Sequence, residues 1–500
     1  MKKKLWLTLS GLILLALGFF LQNLEPYRPL KVISSDASCR MAVDVVEPIT
    51  GSPQGYAVLF HGVSANRRIM SYIAQDLANQ NLRVFVPDLP GHGNTSGPFN
   101  PLRASECGEA FVRELIARRA IIPQQTVLIG HSMGGAIAIR AANRIPVGEV
   151  IAISPAPMRT AKLLSKEMVF FPDDPPLAKN TLLIAGSNEP AQLRGISQAK
   201  VKEATDGSSA YVEIPHATHV SLLFDSSALT EMRAWNHKQL LTDPESVRAT
   251  HYPLYGFFAG LLGLILISGP FISDLVGSSG KNLVDDAPAL NTTRILGQLV
   301  FASVVAVVIL KFWIPLKVLK LFQGDYLASF ALLQGLLLLS TNFASLKQAW
   351  NLRWSALAIS AIGAILLVLV FGLWFEYSFY EALLTWPKWA RMAPLLVAFF
   401  PWLLAEELFL GAHATMSRLR RVILTLAFRS IAWAALVGAL FLMHSGEVLM
   451  ILLTFYFVLV SLLQRLAIDV MRRETRSPVA AAFFGAILCA GFALAIFPLA

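Results

Sequence analysis

The sequence predicts an α/β domain, with a mostly parallel sheet flanked by helices, between an N-terminal transmembrane anchor and a C-terminal all-α polytopic membrane bundle. Two observations support this prediction. Of the 500 residues, 55% are hydrophobic and only 15% are charged, a composition that a purely soluble enzyme of this length does not have. The apolar residues are also unevenly distributed. Long runs occupy the N-terminus and the C-terminal half, whereas short strand-like segments separated by turns occupy the middle.

The composition excludes several other classes of protein. A disordered chain needs low hydrophobicity, and three cysteines are too few for a disulfide scaffold. Cys39 and Cys107 could form a bridge in an extracytoplasmic domain, although their spacing does not require one. The formal net charge is +10, but the basic residues form short clusters beside apolar runs. We attribute them to membrane topology and expect no nucleic-acid partner.

The N-terminus favours an uncleaved membrane anchor over a signal peptide. Three lysines at positions 2–4 precede an apolar run over about 5–24, which is long enough to approach the ~30 Å hydrocarbon core. No small-residue cleavage site follows this run. We therefore assign residues 1–27 to an anchor and residues 28–249, where the composition is that of a soluble protein, to a globular domain.

Residues 250–500 form the predicted membrane bundle of about eight spans. The apolar runs lie near 253–273, 295–316, 326–343, 354–375, 392–412, 422–443, 447–463 and 479–499. With the N-terminal lysines inside, the arginine clusters at 418–421 and 465–476 also fall inside. The sequence thus predicts an integral protein of the plasma (inner) membrane, in contact with membrane lipids, whose globular domain is extracytoplasmic.

The most informative stretch of the globular domain is residues 126–139. It predicts a buried strand, a sharp turn and a helix, with Ser132 at the centre of a Gly-x-Ser-x-Gly motif. Small residues at Gly130 and Gly134 allow the turn to approach the strand closely. Such a turn presents the serine hydroxyl at the carboxyl end of the strand, which makes Ser132 a candidate nucleophile.

The groups that a nucleophilic serine needs follow in a suitable order. An upstream strand ends in His61-Gly62-Val63, so that the N–H groups of Val63 and Met133 would form an oxyanion hole. Downstream, the strand at 180–186 leads to Glu189, and the strand at 211–215 leads to His216 and His219. The chain order serine, acid, histidine is the order of an α/β-hydrolase.

The globular domain resembles the α/β-hydrolase fold, nearest to the branch of monoacylglycerol lipases, lysophospholipases and serine aminopeptidase-like proteins. The resemblance covers about 55–225 and is carried by the segments 59–63, 84–98 and 130–135. It implies a nucleophile at Ser132, a base at His219, an acid at Glu189, and oxyanion donors at Val63 and Met133. The family usually has an aspartate at the position of Glu189, so Asp174 and Asp206 remain alternative acids, and His216 remains an alternative base.

The resemblance implies a serine hydrolase that cleaves acyl esters through an acyl-enzyme, and the predicted spans imply that this hydrolase is anchored in a membrane. Neither a metal nor an organic cofactor is required for that chemistry. A small-molecule ester such as a monoacylglycerol or a lysophospholipid is the expected substrate, because an amphiphilic ester partitions into the membrane where the enzyme is anchored. A peptide or a soluble ester is the alternative substrate. The insertion at about 155–179 is short for a lid. The alternative is a non-catalytic, hydrolase-like binding module on a membrane transport or scaffold protein.

The membrane bundle carries one further candidate site. Glu406 and Glu407 are adjacent in an apolar run, and His413 and His444 follow. Two glutamates followed by a histidine resemble, in degenerate form, the intramembrane CAAX-type protease family over 400–499. The arginine that this family has four residues after the second glutamate is Gly411 here. The candidate ligands are too few for a catalytic zinc site, so the sequence favours pairing of these carboxylates with His444 or Arg429.

Overall fold

The computed structural model describes residues 2–34, 36–48, 52–95, 97–156, 171, 173–204, 207–240, 242, 246–277, 291–312, 319–350, 352–412, 416–443 and 448–499. The chain divides into two compact units. The helical unit consists of Met1–Leu21, Tyr255–Trp374 and Leu383–Phe497, and the globular unit consists of Gln22–Leu254, Phe375–Ala382 and Pro498–Ala500. The globular unit therefore includes two short segments from the C-terminal half of the chain, which the composition does not reveal.

After the N-terminal helix α1 (Lys2–Leu24), the globular unit contains one eight-stranded sheet. Its strands are β1 (Leu30–Ile33), β2 (Ala42–Val46), β3 (Gly55–Phe60), β4 (Leu82–Pro87), β5 (Thr126–His131), β6 (Glu149–Ile153), β7 (Thr181–Gly186) and β8 (Ala210–Ile214). The strand order is β1-β2-β4-β3-β5-β6-β7-β8, and the pairings from β4 to β8 are all parallel. Every residue of β5, β6 and β7 is buried, which explains why these strands are almost continuously apolar.

In the described part of this unit, five α-helices pack with the sheet. They are α2 (Ser71–Asn79), α3 (Pro101–Ala117), α4 (Met133–Ala142), α5 (Ala191–Glu203) and α6 (Ser226–Leu240). Short 3-10 helices cover Arg67–Met70, Pro123–Gln125 and Ser221–Phe224. A disulfide joins Cys39 to Cys107 of α3, with the two Cα atoms 5.2 Å apart. The bridge that the sequence allowed is thus present. The apolar part of the insertion, Met168–Phe170, lies outside the described residues.

Within the described residues, each of the eight apolar runs of the C-terminal half lies on a helix, and two further short helices bring the described total to ten. The helices are α7 (Tyr252–Val276), α8 (Thr292–Phe312), α9 (Gly324–Ser340), α10 (Phe343–Ala349), α11 (Trp354–Tyr377), α12 (Trp386–Trp389), α13 (Met392–Leu410), α14 (Arg418–Met443), α15 (Val448–Thr475) and α16 (Pro478–Ile496). Within the described residues, seven helices including α1 are long and apolar enough to cross a membrane, or eight if the bent pair α9 and α10 is one span. This unit is compatible with a membrane protein.

A buried carboxyl group at the start of β6 makes the stability of the globular unit depend on pH. Glu149 is fully buried, and neither of its carboxylate oxygens has a hydrogen-bond partner within the described structure. Burial raises the pKa of Glu149 to about 8. Because the folded-state pKa lies above the unfolded-state value of about 4.3, the folded state holds one more proton between these values. The stabilisation is complete below the unfolded-state pKa and is lost as the pH rises through about 8.

We therefore expect Glu149→Gln to stabilise the protein at pH 8 and to leave its stability nearly unchanged at pH 4. The expected gain at pH 7 is about 4 kcal/mol, because each pH unit above the unfolded-state pKa costs about 1.4 kcal/mol. Thermal unfolding of both proteins in detergent at pH 4 and at pH 8 measures this change in stability. Glu106→Gln, on an exposed carboxylate of α3, is the matched control and should not change the pH dependence. An equal gain for Glu149→Gln at both pH values would contradict this account.

Candidate active site

Ser132 lies in a strained turn between β5 and α4. Its backbone has φ 56° and ψ −119°, a region that residues with a side chain rarely adopt. The turn is tight because glycines stand on both sides of the serine. A Cβ atom on Gly130 would overlap the carbonyl oxygen of Gly134, and one on Gly134 would overlap that of Phe60. The Gly-x-Ser-x-Gly spacing thus has a direct steric cause.

Glu189 and His219 meet at the carboxyl edge of the sheet. The Nδ1 atom of His219 lies 2.6 Å from Oε1 of Glu189, and both side chains are buried. The same carboxylate accepts hydrogen bonds from Ser154 Oγ at 2.5 Å and from the Gly186 N–H at 3.1 Å. Burial acts to raise the pKa of Glu189, but these hydrogen bonds and the nearby imidazole outweigh it and lower the pKa overall. Glu189 is therefore a carboxylate at neutral pH.

The backbone around the serine offers two candidate oxyanion donors. Met133 is the first residue of α4, where an N–H group has no acceptor within the helix. Val63 follows Gly62, and a Cβ atom on Gly62 would lie 3.0 Å from the Cβ atom of Ser132. The loop that carries Val63 is therefore adjacent to the serine. The described geometry places both backbone segments beside Ser132.

The alternative acids and base lie elsewhere. His216 is exposed, and its backbone N–H donates to Ser187 Oγ at 2.7 Å. Asp174 forms an ion pair with Lys200. Asp206 lies outside the described residues. Among the described candidates, the structure brings together Glu189 and His219 and keeps His216 and Asp174 away from this pair.

Two neighbours of the histidine were not predicted as site residues. Ser154, directly after β6, donates to the acid. His131 lies next to the serine, and its Nε2 atom is 2.8 Å from the carbonyl oxygen of His219. Burial, and then the proximity of His219, lower the pKa of His131 to about 3, so His131 is neutral at physiological pH. The sequence did offer an indication for Ser154. This serine directly follows β6, the strand beside β7, and the carboxyl ends of parallel strands lie at one edge of the sheet.

The carboxylates of the helical unit pair with arginines. Glu406 accepts hydrogen bonds from Arg429 Nε and Nη2 at 2.7 and 2.6 Å, and Arg465 Nη1 lies 3.2 Å from it. Glu407 lies 3.2 Å from Arg472. His413 and His444 lie outside the described residues, and the described part of the chain contains no group of three residues suited to a metal ion. Carboxylates held by guanidinium groups are poor metal ligands, which disfavours a protease site here.

Comparison with known proteins relates the globular unit to lipases. Residues 57–205 match the alpha/beta hydrolase family. A monoacylglycerol lipase from Mycolicibacterium smegmatis is 33% identical over 145 residues, covering 25% of this chain and 50% of the relative. A monoglyceride lipase from Rattus norvegicus is 30% identical over 135 residues, covering 24% of this chain and 44% of the relative. The chain thus spans about half the length of the curated relatives it matches.

Solved structures also resemble this chain. A soluble variant of monoglyceride lipase from Saccharomyces cerevisiae, in complex with a substrate analog, has 16% identity and a TM-score of 0.33, and the match covers 44% of this chain and 99% of that chain. An alpha-beta serine hydrolase homologue from Coxiella burnetii has 16% identity and a TM-score of 0.34, covering 41% of this chain and 94% of that chain. The resemblance of residues 400–499 to the intramembrane protease family has no support from these comparisons.

The family match includes β3, β4, β5, β6 and β7, which form the centre of the parallel sheet. It also includes the strained serine between β5 and α4. The globular domain of this chain therefore has the alpha/beta hydrolase fold, and residues 57–205 of it match the model of that family.

Proposed function

We propose that the chain is a membrane-anchored serine hydrolase that cleaves acyl esters through an acyl-enzyme on Ser132. His219 is the general base and Glu189 is the acid that orients it. The observation that carries the proposal is the 2.6 Å contact between the Glu189 carboxylate and His219 Nδ1, because it leaves the other ring nitrogen of His219 available for the serine proton. The two loops that carry this pair follow β7 and β8, at the same sheet edge as the serine turn after β5.

The proposed reaction has two steps. His219 removes the hydroxyl proton of Ser132 as Oγ attacks the ester carbonyl carbon, and the resulting oxyanion accepts hydrogen bonds from the N–H groups of Val63 and Met133. The tetrahedral intermediate then expels the alcohol, which takes the proton from His219. A water molecule attacks the acyl-enzyme with the same proton transfers, and a carboxylic acid leaves.

Two observations support a lipid-like ester as the substrate. The two curated relatives named above are a monoacylglycerol lipase and a monoglyceride lipase. The chain also carries seven described helices that are long and apolar enough to cross a membrane. A monoacylglycerol or a lysophospholipid would partition into that membrane. The Cys39–Cys107 disulfide supports an extracytoplasmic position of the globular domain at the plasma (inner) membrane, because disulfides persist in oxidising compartments.

Labelling of the purified full-length protein by a fluorophosphonate probe tests the proposal. We expect rapid labelling on the tryptic peptide that contains Ser132, protection by a monoacylglycerol, and no effect of a chelator. His219→Ala should slow the labelling at least 100-fold, because the hydroxyl loses its base. His216→Ala, three residues away and exposed, is the matched control and should label normally.

The other outcomes of this experiment are equally informative. A folded protein that does not label would indicate a non-catalytic binding module. Labelling on a serine other than Ser132 would refute the assigned nucleophile. Cleavage activity that a chelator removes and that Glu406→Gln abolishes would favour the intramembrane protease.

A further inference from the structure

A short segment from the C-terminal half of the chain contacts the loop that carries the oxyanion donor. Phe375–Ala382, termed the docking segment, belongs to the globular unit although it follows β8 by more than a hundred residues. The hydroxyl of Tyr380 donates to the carbonyl oxygen of Ser64 at 2.8 Å. The side-chain amide of Asn66 donates to the carbonyl oxygen of Glu381 at 3.4 Å. Hydrogen bonds therefore join the docking segment to the loop at residues 64–66 in both directions.

Arg68, in the same loop, makes further contacts with the docking segment. The Nη2 atom of Arg68 lies 3.4, 3.3 and 3.0 Å from three successive carbonyl oxygens of the docking segment, those of Glu376, Tyr377 and Ser378. These carbonyl groups follow one another at the end of α11, where a helix leaves its last carbonyl oxygens without partners. A guanidinium group satisfies such oxygens well, since it presents five donors.

A buried ionic cluster forms the centre of the contact. The guanidinium group of Arg67 lies 2.8 Å from Asp44 and 2.6 Å from Glu381, and it also pairs with Asp88. All four side chains are nearly inaccessible to solvent. Three carboxyl groups around one guanidinium group cannot all be charged at low cost. Burial, and then the negative charge of Asp88, raise the pKa of Glu381 to about 9, so Glu381 carries the proton.

The contacted residues immediately follow the candidate oxyanion donor. Val63 precedes Ser64, whose φ of 58° is unusual for a residue with a side chain. Residues in such conformations persist where their surroundings hold them. Tyr380 is 7% exposed, and its hydroxyl group donates a hydrogen bond to the carbonyl oxygen of Ser64. A change at Tyr380 would therefore be transmitted to the backbone of Val63 through one residue.

From this geometry we infer that Tyr380 and Glu381 are positioning residues, which hold residues 61–68 so that the N–H group of Val63 is available to the oxyanion. The inference rests on the proposed function. The C-terminal half of the chain then does more than supply apolar helices. Its docking segment helps to complete the oxyanion hole of the hydrolase. The inference also predicts that residues 28–249 without the docking segment are a defective hydrolase.

Tyr380→Phe in the full-length chain tests the contact with the least change in shape. We expect kcat for a p-nitrophenyl ester to fall about 10-fold, because a displaced Val63 N–H would donate less well to the oxyanion of the transition state, with KM within twofold of wild type. Tyr211→Phe is the matched control. The Tyr211 hydroxyl donates to Glu213 at 3.0 Å on β8, away from residues 61–68, and its loss should leave kcat unchanged.

A transition-state analogue separates positioning from a general structural role. A trifluoromethyl ketone adds to Ser132 and places an oxyanion in the same hole. Its affinity should fall in Tyr380→Phe by the same factor as kcat/KM, whereas the rate of labelling by iodoacetamide at an introduced surface cysteine should not change. An unchanged analogue affinity, or a loss equal to that of Tyr211→Phe, would overturn the inference. A wild-type protein that neither labels nor turns over would instead refute the proposed function.

Substitution of Glu381 supplies the second test. Glutamine presents a neutral donor and an acceptor to Asp88 and Arg67, as the protonated carboxyl group does, and Glu381→Gln should retain activity within threefold. Glu381→Leu should lose at least 10-fold in kcat and in analogue affinity. Equal activity of both variants and wild type would overturn the assignment of Glu381 as a positioning residue. A loss in Glu381→Gln as large as in Glu381→Leu would show that Glu381 does not act as a neutral carboxyl group.

Discussion

Ser132→Ala is expected to lower kcat for acyl esters by about 10⁶, the largest effect of any single substitution in this chain. The substitution removes the only atom that forms a covalent bond with the substrate in the proposed mechanism. The fold should tolerate it, because alanine retains the Cβ atom and the tight turn depends on Gly130 and Gly134. Initial rates with a p-nitrophenyl ester and with a monoacylglycerol, measured on detergent-purified protein, give the ratio.

The appropriate control is another serine on a loop at the same sheet edge. Ser187 follows β7 and accepts a hydrogen bond from the backbone of His216, and it has no role in the proposed mechanism. Ser187→Ala should keep kcat within threefold of wild type. A residual rate of more than one percent in Ser132→Ala, at an unchanged melting temperature, would show that another group carries the acyl transfer.

The local parts of the site could be predicted because short-range sterics determine them. The serine turn depends on residues that lie within four positions of one another, and the closeness of Gly130 to Gly134 explains the motif directly. The parallel strands follow from continuous apolar segments. The order of Glu189 and His219 along the chain then suffices to bring both to one sheet edge, because the strands before them are adjacent and parallel.

The remaining parts depend on tertiary contacts that no local pattern indicates. Glu381 lies in a short connection between apolar helices, where a carboxylate is typical of a solvated loop. Its pairing with Arg67 joins residues 314 positions apart. Composition also divides the chain near residue 250, and so it separates the docking segment from the unit to which it belongs. The sequence shows an arginine at position 67, four residues after Val63, but its burial and its partners are identified only by the fold.

Glu189→Gln is expected to lower kcat by about 10⁴, although the substitution changes only one atom. The hydrogen bonds around the carboxylate determine how the amide would orient. Oε2 accepts the N–H of Gly186, so an amide NH₂ group there would oppose another donor. The amide oxygen therefore takes that position, and the NH₂ group faces His219 Nδ1. That nitrogen must then act as an acceptor, the proton moves to Nε2, and the imidazole can no longer accept the proton of Ser132.

Two further variants distinguish this tautomer effect from a loss of packing. Ser154→Ala removes one of the donors to Glu189 Oε1 and keeps the carboxylate, so kcat should fall by no more than about 10-fold. Glu189→Asp keeps the charge but places it one methylene group further from the ring. Its kcat should lie between those of Ser154→Ala and Glu189→Gln. The histidine N–H resonances in the NMR spectrum report the tautomer directly, since the Glu189–His219 contact of 2.6 Å produces a strongly downfield Nδ1 proton that Glu189→Gln should lack. A downfield signal that persists in Glu189→Gln would mean that another group, and not Glu189, fixes the tautomer of His219.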